Sequence, residues 1–265
     1  MRGVRTPPFL RFFRIGCVNI QPENMERKEF LKRGLSALGA ATVAPVLAAC
    51  NKTTVDATDT TGTTQNPNTT GACTVTPAET IGPFPTKNPA ALIRNDIRAN
   101  SLGIVMTLNI TVLNKNTSCG ALAGAIMDVW HCDKDGNYSE YGGTGMQSTN
   151  LTAVSFLRGR QTTDASGLAT YTTVFPGWYN GRAPHIHVQI FNAAGKSLLV
   201  TQIAFSKAVC DEVYGTATNF YTKGLQNTTN ERDNVFSDGF STELATITGS
   251  IATGFALTHT IVVNG

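Results

Sequence analysis

The segment PGWYNGRAPHIHV, residues 176–188, gathers side chains whose types and spacing are typical of a metal site. Successive side chains of a β-strand point to opposite faces, so His185 and His187 project to the same side. Two imidazoles placed in this way can converge on one ion. Tyr179 and Arg182 lie in the turn that leads into the strand, where they can add an anionic oxygen ligand and a cation. The spacing therefore predicts a metal site at the start of this strand.

A second segment, DVWHCDKDGNYSEY at residues 128–141, supplies another tyrosine. An apolar strand ending at Trp130 runs into a turn formed by Asp135 and Gly136, and this turn delivers Tyr138. Phenolates are hard anionic donors, so two tyrosines with two histidines favour Fe(III), whereas thiolate or carboxylate sets favour zinc. The predicted iron ligands are Tyr138, Tyr179, His185 and His187.

A structural role is the alternative for these residues, because a single His-x-His strand is more often structural than metal-binding. Four donors in two separately matched spacings, with Arg182 beside them, favour the iron site. The remaining histidines are interpreted as structural. His259 lies in register with the apolar residues of FALTHTIVV, and His131 follows Trp130 on its strand.

These residues resemble the motifs of the intradiol ring-cleavage dioxygenases, a family that includes protocatechuate and catechol dioxygenases. The two tyrosine motifs are W-x-x-x-x-x-G-x-Y and P-G-x-Y, the histidines follow as R-x-x-H-I-H, and a T-P-x-x-T-x-G-P element precedes them all. In this chain the elements occupy residues 130–138, 176–179, 182–187 and 76–83. The resemblance covers roughly residues 74–236.

The resemblance implies a non-haem Fe(III) enzyme that cleaves the ring of a catecholic substrate with O2 to a muconate-type product, without an organic cofactor. Tyr179 would leave the metal as substrate binds and would act as a base, while the other three ligands stay bound. Arg182 would stabilise negative charge that develops on the substrate, and Gln202 would shape the pocket near the iron. The predicted catalytic residues are therefore Tyr179, Arg182 and Gln202.

The chain departs from catechol-cleaving relatives near the expected substrate position. Ile81 precedes Gly82 where those relatives usually carry Glu, and only Asn180 and Gly181 separate the second tyrosine from the arginine. The short loop predicts an open pocket and favours a substrate larger than catechol. The alternative function is a non-enzymatic lipoprotein of the cell envelope that uses the same β-sandwich to bind a metal, a glycan or a partner.

Residues 1–49 are predicted to be a leader. From residue 25 the chain has a basic start, then an uncharged apolar run and small residues before position 50, which is typical of a signal peptide. The run is shorter than the ~20 residues of a membrane-spanning helix. Residues 1–24 are interpreted as an over-extended start, with a long basic region of the signal peptide as the alternative.

The sequence LAAC at the end of the leader resembles a bacterial lipobox. Cys50 is therefore predicted to be lipidated and to anchor an exported protein in the bacterial cell envelope. Residues 51–72 are rich in Thr, Asn and Gly and predict a flexible tether, so the lipidated cysteine and tether span 50–72. The catalytic domain is predicted at 73–265.

The positive charge of the chain belongs to the leader. The sequence has 21 Lys and Arg against 18 Asp and Glu, and residues 1–49 contain 8 of the basic and 3 of the acidic ones. Residues 50–265 therefore carry 13 basic and 15 acidic side chains. No basic stripe supports nucleic-acid binding. The predicted partners are a catecholic small molecule, O2 and, through Cys50, the membrane.

The cysteines are consistent with an oxidising compartment, because an even set remains once Cys17 and Cys50 are assigned to the leader and the anchor. The disulfide candidates are Cys73, Cys119, Cys132 and Cys210. An extended strand at 123–131 would hold Cys119 and Cys132 too far apart to bond, which leaves two pairings. We favour the one that joins Cys73 to Cys119 and Cys132 to Cys210.

The hydrophobic pattern predicts an all-β domain. Apolar and polar residues alternate along 106–112, as expected for a half-buried strand, and similar patterns recur between turn signals. The predicted strands are 103–114, 122–131, 152–158, 168–175, 184–192, 197–206 and 255–263. With no long amphipathic helix, the pattern predicts an antiparallel β-sandwich of the intradiol dioxygenase type, with 207–240 as an irregular excursion beside the site.

Overall fold

The computed structural model describes residues 73–265, so the predictions about the leader, the lipidation of Cys50 and the tether at 50–72 lie outside the described residues. Two β-sheets and one α-helix form the described part of the chain. The elements are β1 (Val105–Asn114), β2 (Gly120–Ala121), β3 (Ile126–Trp130), β4 (Arg158–Thr162), β5 (Leu168–Val174), β6 (His185–Phe191), β7 (Ser197–Ala204), α1 (Lys207–Thr216), β8 (Thr246–Ser250) and β9 (Gly254–Val263). Short 3-10 helices lie at Pro89–Ala91, Lys115–Thr117, Asn230–Arg232 and Asn234–Phe236.

The first sheet has β1 at its centre. One edge of β1 pairs in parallel with β9, its other edge pairs antiparallel with β5 and then β2, and β8 borders β9. Along β1, Met106, Leu108, Ile110 and Val112 are buried while the residues between them are partly exposed, as the alternation predicts. The all-β sandwich is therefore confirmed, with the β1–β9 pair as a parallel exception.

The second sheet is antiparallel throughout, in the order β4-β3-β6-β7. On β6, Ile186, Val188 and Ile190 join the main hydrophobic core together with the buried residues of β1. His185 and His187 alternate with them and therefore occupy the outer face of the sheet. Both histidines are nonetheless buried, because loops from other parts of the chain cover that face. The candidate site thus lies between the second sheet and these loops.

The strand predicted at 152–158 is wrong in position. β4 begins at Arg158, where the predicted strand ends, and the residues before it form turns. Leu157 has a φ of +54°, a left-handed conformation that interrupts an extended chain. The apolar side chains of Val154 and Phe156 stay at least partly exposed, so they do not belong to a sheet face.

Two elements leave no clear pattern in the sequence. β8 lies at a sheet edge, and all its residues are exposed or partly exposed, so no apolar alternation marks it. Helix α1 begins the segment 207–240, which the sequence predicts to be irregular. It buries Cys210, Val213 and Tyr214 at helical spacing, and the hydroxyl of Ser206 caps its N-terminus. Within residues 73–265, none of the helices has the length and apolar character needed to span a bilayer.

One of the two favoured disulfides is present and the other is wrong. Cys73 bonds to Cys119, with Cα atoms 6.0 Å apart, and ties residue 73 to the turn between β1 and β2. Cys132 and Cys210 are buried free thiols. Cys132 packs with the aromatic residues around Tyr138 on the outer face of the second sheet, whereas Cys210 packs into the main core from α1. Each sulfur is therefore enclosed in a different cluster.

Candidate metal centre

Four aromatic side chains on the outer face of the second sheet bring their polar atoms together. The Nε2 atoms of His185 and His187 lie 3.2 Å apart, and the hydroxyl oxygens of Tyr138 and Tyr179 lie 3.4 and 3.5 Å from His185 Nε2. Donors that each lie about 2 Å from one metal ion are about 3–3.5 Å from one another. The described residues contain no metal-holding group of three or more His, Cys, Asp and Glu, so a metal here depends on the tyrosines.

Neighbouring strands orient the two histidines. His187 lies between Trp130 of β3 and Gln202 of β7, and its ring stacks on the indole with centroids 4.9 Å apart and planes 1° from parallel. His185 Nδ1 lies 2.6 Å from the carbonyl oxygen of Ala183, which can only accept a hydrogen bond. The proton of His185 is therefore on Nδ1, and the Nε2 lone pair is free to bind a metal.

The turn that carries Tyr138 is held by side chains from both of its flanks. The Tyr138 backbone N–H donates to Oε1 of Gln147 over 2.6 Å, and Nε2 of Gln147 donates back to the Tyr138 carbonyl over 2.8 Å. Before the turn, a carboxylate oxygen of Asp133 accepts from the N–H of Asn137. The Phe84 ring stacks on Tyr138 with centroids 4.8 Å apart. Tyr138 is therefore fully buried and fixed in place.

Two glycines explain why both tyrosine motifs have Gly two residues before Tyr. Gly136 has a φ of +85°, and a Cβ atom there would lie 2.2 Å from the carbonyl oxygen of Trp178. A Cβ on Gly177 would lie 2.4 Å from the carbonyl oxygen of Asp133, which accepts a hydrogen bond from the Gly177 N–H. The two turns thus pack backbone against backbone, and this contact sets the distance between the tyrosines.

Burial determines the protonation of the four donors. Burial lowers the pKa of His185 to about 3 and that of His187 well below its usual value, so both imidazoles are neutral. Burial raises the pKa of Tyr138 well above its usual value and also raises that of Tyr179, although Arg182 opposes the second shift. The phenolate forms therefore require a cation at the centre.

The residues fit a bound transition metal. Nδ1 of His187 is buried without a hydrogen-bond partner. If Nδ1 carries the proton, the Nε2 lone pairs of His187 and His185 face each other over 3.2 Å, and a cation between them removes the repulsion. Neutral imidazoles and phenolates are the ligand forms that a ferric ion binds.

The predicted catalytic residues Arg182 and Gln202 lie beside the donors and contact each other. Nη2 of Arg182 donates to Oε1 of Gln202, and Nε of Arg182 lies 2.9 Å from both carboxylate oxygens of the buried Asp233. Asp233 also accepts from the N–H of Ala183. Gln202 donates in turn to the carbonyl oxygen of Thr80. The guanidinium is therefore paired and held in a fixed orientation.

Three residues of the site are missing from the sequence prediction. Asp233 and Gln147 lie in loops with no regular pattern, and Asp233 is 51 residues from its partner Arg182. Arg158 is fully buried next to the Tyr138 turn. The one signal for it in the sequence is that it is a charged residue flanked by the uncharged Leu157 and Gly159. The structural interpretation of His131 is confirmed, because hydrogen bonds occupy both of its ring nitrogens.

Residues 83–232 match the family model described as dioxygenase, which covers more than half of the chain. The matched region lies inside the stretch 74–236 that the motifs mark out. The chain belongs to the intradiol ring-cleavage dioxygenase family.

Several known proteins are similar to this chain. The chlorocatechol 1,2-dioxygenase of Rhodococcus opacus is 30% identical over 142 residues, which are 46% of this chain and 51% of that protein. The chain therefore spans about half the length of this curated relative. An intradiol ring-cleavage dioxygenase from Tetranychus urticae is 26% identical, with a TM-score of 0.64 over 72% of this chain and 95% of that one.

The dioxygenase domain of a dioxygenase and carbohydrate-binding protein fusion from the cellulolytic bacterium Streptomyces sp. SirexAA-E is also similar. It is 25% identical, with a TM-score of 0.52 over 71% of this chain and 97% of that one. Nearly the whole of each of these two solved chains is therefore matched by part of this one.

Proposed function

We propose that this protein is an Fe(III)-dependent intradiol dioxygenase that cleaves a catecholic ring with O2, placing one oxygen atom on each side of the broken bond to give a muconate-type product. The observation that supports the proposal is the convergence of the Tyr138 and Tyr179 hydroxyls on His185 Nε2, at 3.4 and 3.5 Å. His187 Nε2 completes the set at 3.2 Å. Bound Fe(III) would supply a Lewis acid that draws electron density from a catecholate and prepares its ring for reaction with O2.

Tyr179 is the donor best placed to exchange with substrate. Tyr138, His185 and His187 are buried, whereas Tyr179 is partly exposed, so a substrate reaches the centre from the Tyr179 side. Its hydroxyl oxygen is then the nearest base for a proton of the incoming catechol. Arg182 partly offsets the rise in the Tyr179 pKa that burial causes, which favours an anionic oxygen there.

Arg182 and Gln202 act on the substrate side of the centre. The carboxylate of Asp233 and the amide of Gln202 fix the guanidinium beside Tyr179, so its charge is in place before negative charge develops on the ring. A donor that is already oriented does not have to reorient when charge develops, so little reorganisation energy is needed during the reaction.

The entrance to the centre favours a catechol with a substituent. Asn180 and Gly181 are exposed and form a short loop on one side. Beside His187, Gly82 approaches the imidazole ring so closely that a Cβ would lie 3.0 Å from it, and its neighbour Ile81 is 39% exposed. An apolar side chain beside an open entrance can contact a group attached to the ring. We therefore propose an alkylated or larger catechol as the substrate.

Oxygen uptake by the iron-loaded protein tests this function. Catechol, protocatechuate, hydroxyquinol and alkylated catechols are supplied in turn with 18O2, and the expected product contains both labelled atoms. His187→Ala should abolish uptake. His259→Ala is the matched control, because it removes a buried imidazole from β9 in the other sheet and should leave uptake in place. A coloured iron protein that consumes no oxygen with any catechol would overturn the substrate class.

We also propose that the protein is exported and anchored through a lipid on Cys50, on the basis of the lipobox at residues 47–50. Cys50→Ala should move the protein from the membrane fraction to the soluble fraction or leave an unprocessed precursor. Unchanged fractionation together with an uncleaved leader would contradict the anchor.

A further inference from the structure

Arg158, at the start of β4, belongs to a row of side chains that crosses the second sheet. In the register of the sheet it lies opposite Trp130 of β3, which lies opposite His187 of β6, which lies opposite Gln202 of β7. The row therefore runs on the outer face, from Arg158 to a metal ligand and on to a residue beside the substrate. Arg158 is the charged member of the row and is fully buried.

The guanidinium of Arg158 joins two separate chain segments. Its Nε donates to the Ser139 hydroxyl over 3.0 Å, and Nη2 donates to the Ser139 carbonyl over 2.6 Å. Its Nη1 donates to the Phe84 carbonyl over 2.9 Å and to the Thr86 hydroxyl over 3.2 Å. The nearest carboxylate, that of Glu140, is 3.6 Å away. The planar guanidinium therefore serves as a hydrogen-bonded hub between the segments.

Both segments contact Tyr138. Ser139 is its neighbour in the chain, and the Phe84 ring stacks on the Tyr138 ring at 26°. Arg158 Cζ lies 5.9 Å from the centroid of the same ring. A change at Arg158 would therefore displace the Tyr138 ring in two ways at once, through the backbone at Ser139 and through the stacked ring of Phe84.

We propose that Arg158 is a positioning residue for the metal centre, which holds the Tyr138 hydroxyl at its distance from the histidines by fixing Ser139 and Phe84. The proposal rests on the ferric function above, although the position of Tyr138 can be measured without metal. Lysine keeps the charge but lacks the planar set of five donors, so Arg158→Lys separates positioning from charge.

Arg160 provides a matched control. It lies two residues further along β4 on the same face, and its guanidinium makes a two-point ion pair with Asp128. Arg160→Lys therefore disturbs a partly buried arginine of the same strand without touching Ser139 or Phe84.

The test compares Arg158→Lys and Arg160→Lys with wild type in two measurements. In iron-loaded protein, Arg158→Lys should weaken iron binding by about 10–100-fold, the usual effect of losing an outer partner of a ligand, and should move the tyrosinate charge-transfer band. In crystals of the metal-free protein, the Tyr138 hydroxyl should move away from its 3.4 Å contact with His185 Nε2. Arg160→Lys should change neither property. If Arg158→Lys does not fold, Thr86→Val and Ser139→Ala each remove part of the hub and should shift the same band by smaller amounts.

Wild-type affinity, an unmoved band and an unmoved Tyr138 in a folded Arg158→Lys variant would overturn the proposal, as would equal shifts in Arg160→Lys. A wild-type protein that binds no iron would instead overturn the ferric function. In that case the metal-free crystal structures alone decide whether Arg158 positions Tyr138.

Discussion

Tyr138 and Tyr179 bring the same phenol group to the centre with different degrees of burial. Tyr138 is fully buried and held by side chains on both flanks of its turn, whereas Tyr179 is partly exposed and is followed by the exposed residues Asn180 and Gly181. The first is therefore suited to a permanent ligand and the second to a ligand that exchanges with substrate.

Removing each hydroxyl in turn should separate these roles. Loss of a residue that supports a metal ligand usually weakens metal binding by about 10–100-fold. Tyr138→Phe removes a ligand itself, so it should weaken iron binding by more than that and should largely bleach the protein. Tyr179→Phe should retain more iron and slow ring cleavage by about 10²–10⁴-fold, as expected when an acid–base group is lost. Iron analysis, visible absorption and turnover of the same samples give the comparison.

Tyr171→Phe is the control for these variants. Tyr171 is equally buried, but its hydroxyl donates to the Met127 carbonyl in the main core. Its loss should cost about 0.5–1.5 kcal/mol of stability and leave the colour unchanged. Identical iron loss in the Tyr138 and Tyr179 variants would contradict the division of roles.

The sequence contains the donors of the site but not their supports. His185 and His187 are recognisable because a period of two places them on one face, and Tyr138 and Tyr179 because glycines precede them at fixed spacing. The supporting contacts come from loops far along the chain, such as the Asp233 carboxylate that binds Arg182. No local pattern encodes such a contact, because it depends on where the loops cross.

Among the elements, the two turns that carry the tyrosines depend on each other. The carbonyl oxygen of Trp178 in the second turn occupies the space that a Cβ on Gly136 in the first turn would need. Lys223 strengthens the same contact, since its Nζ donates to the Trp178 carbonyl over 2.6 Å. The two turns that carry the proposed tyrosine ligands therefore form one unit.

Gly136→Ala should separate the turns. An alanine there pays about 1–2 kcal/mol for its left-handed backbone and must also displace the Trp178 carbonyl. Gly181→Ala is the matched control, because Gly181 has a φ of +84° and no atom within 4 Å of its Cβ position. The midpoint temperature of thermal unfolding and the iron content should both fall further for Gly136→Ala than for Gly181→Ala. Equal effects would show that backbone strain alone matters.

The loop that carries Glu243 packs against β7 and should make stability depend on pH. Burial, with a smaller effect of Glu79, raises the pKa of Glu243 to about 8, from 4.5 in the unfolded chain. A raised folded-state pKa means that the stability contributed by the protonated group is fully present below 4.5 and is lost as pH rises toward 8. Its Oε2 atom also has no hydrogen-bond partner.

Glu243→Gln should remove this dependence, because the amide oxygen can still accept the hydrogen bond from the Thr201 hydroxyl. The free energy of unfolding of the variant should exceed that of wild type by about 1–3 kcal/mol at pH 8 and by little at pH 4.5, measured by urea unfolding at both pH values. Glu212→Gln, on the exposed side of α1, is the control and should show no such difference. A gain that is equal at the two pH values would contradict the assignment.

Elements with strong apolar alternation were predictable, and those without it were not. β1, β5, β6, β7 and β9 lie close to their predicted positions because each buries one face in the core. β8 is solvated on an outer edge, and α1 buries only one short stripe. The turn at Leu157 displaces β4 from its predicted position, because a single left-handed residue changes the chain direction without changing the hydrophobic pattern.

At the scale of the whole molecule, one covalent link ties residue 73 to the sandwich. The Cys73–Cys119 bond spans 46 residues of sequence, and beyond it the segment up to Gly82 runs along both sheets, with hydrogen bonds from Thr76 to β9 and from Glu79 to β7. The same segment then reaches the candidate metal centre, where Gly82 contacts the His187 ring and Phe84 stacks on Tyr138.

Cys119→Ser should therefore lower stability by about 2–5 kcal/mol, the usual effect of removing a native disulfide. Chemical unfolding measures the loss. Mass spectrometry of unreduced protein, alkylated after unfolding, should find Cys132 and Cys210 modified and Cys73 and Cys119 intact. In the folded protein both free thiols should resist alkylation, because burial raises their pKa. Alkylation of all four cysteines would contradict the disulfide.

The proposed ferric centre involves all three scales, and the most direct test of it is an anaerobic catechol titration of purified, iron-loaded protein followed by visible absorption. The expected result is about one iron per chain and a visible tyrosinate charge-transfer band, as phenolate ligands on Fe(III) require. Catechol added without oxygen should shift this band, because Tyr179 exchanges with the substrate. A protein that stays colourless and iron-free after reconstitution with ferric or ferrous salts would contradict the account.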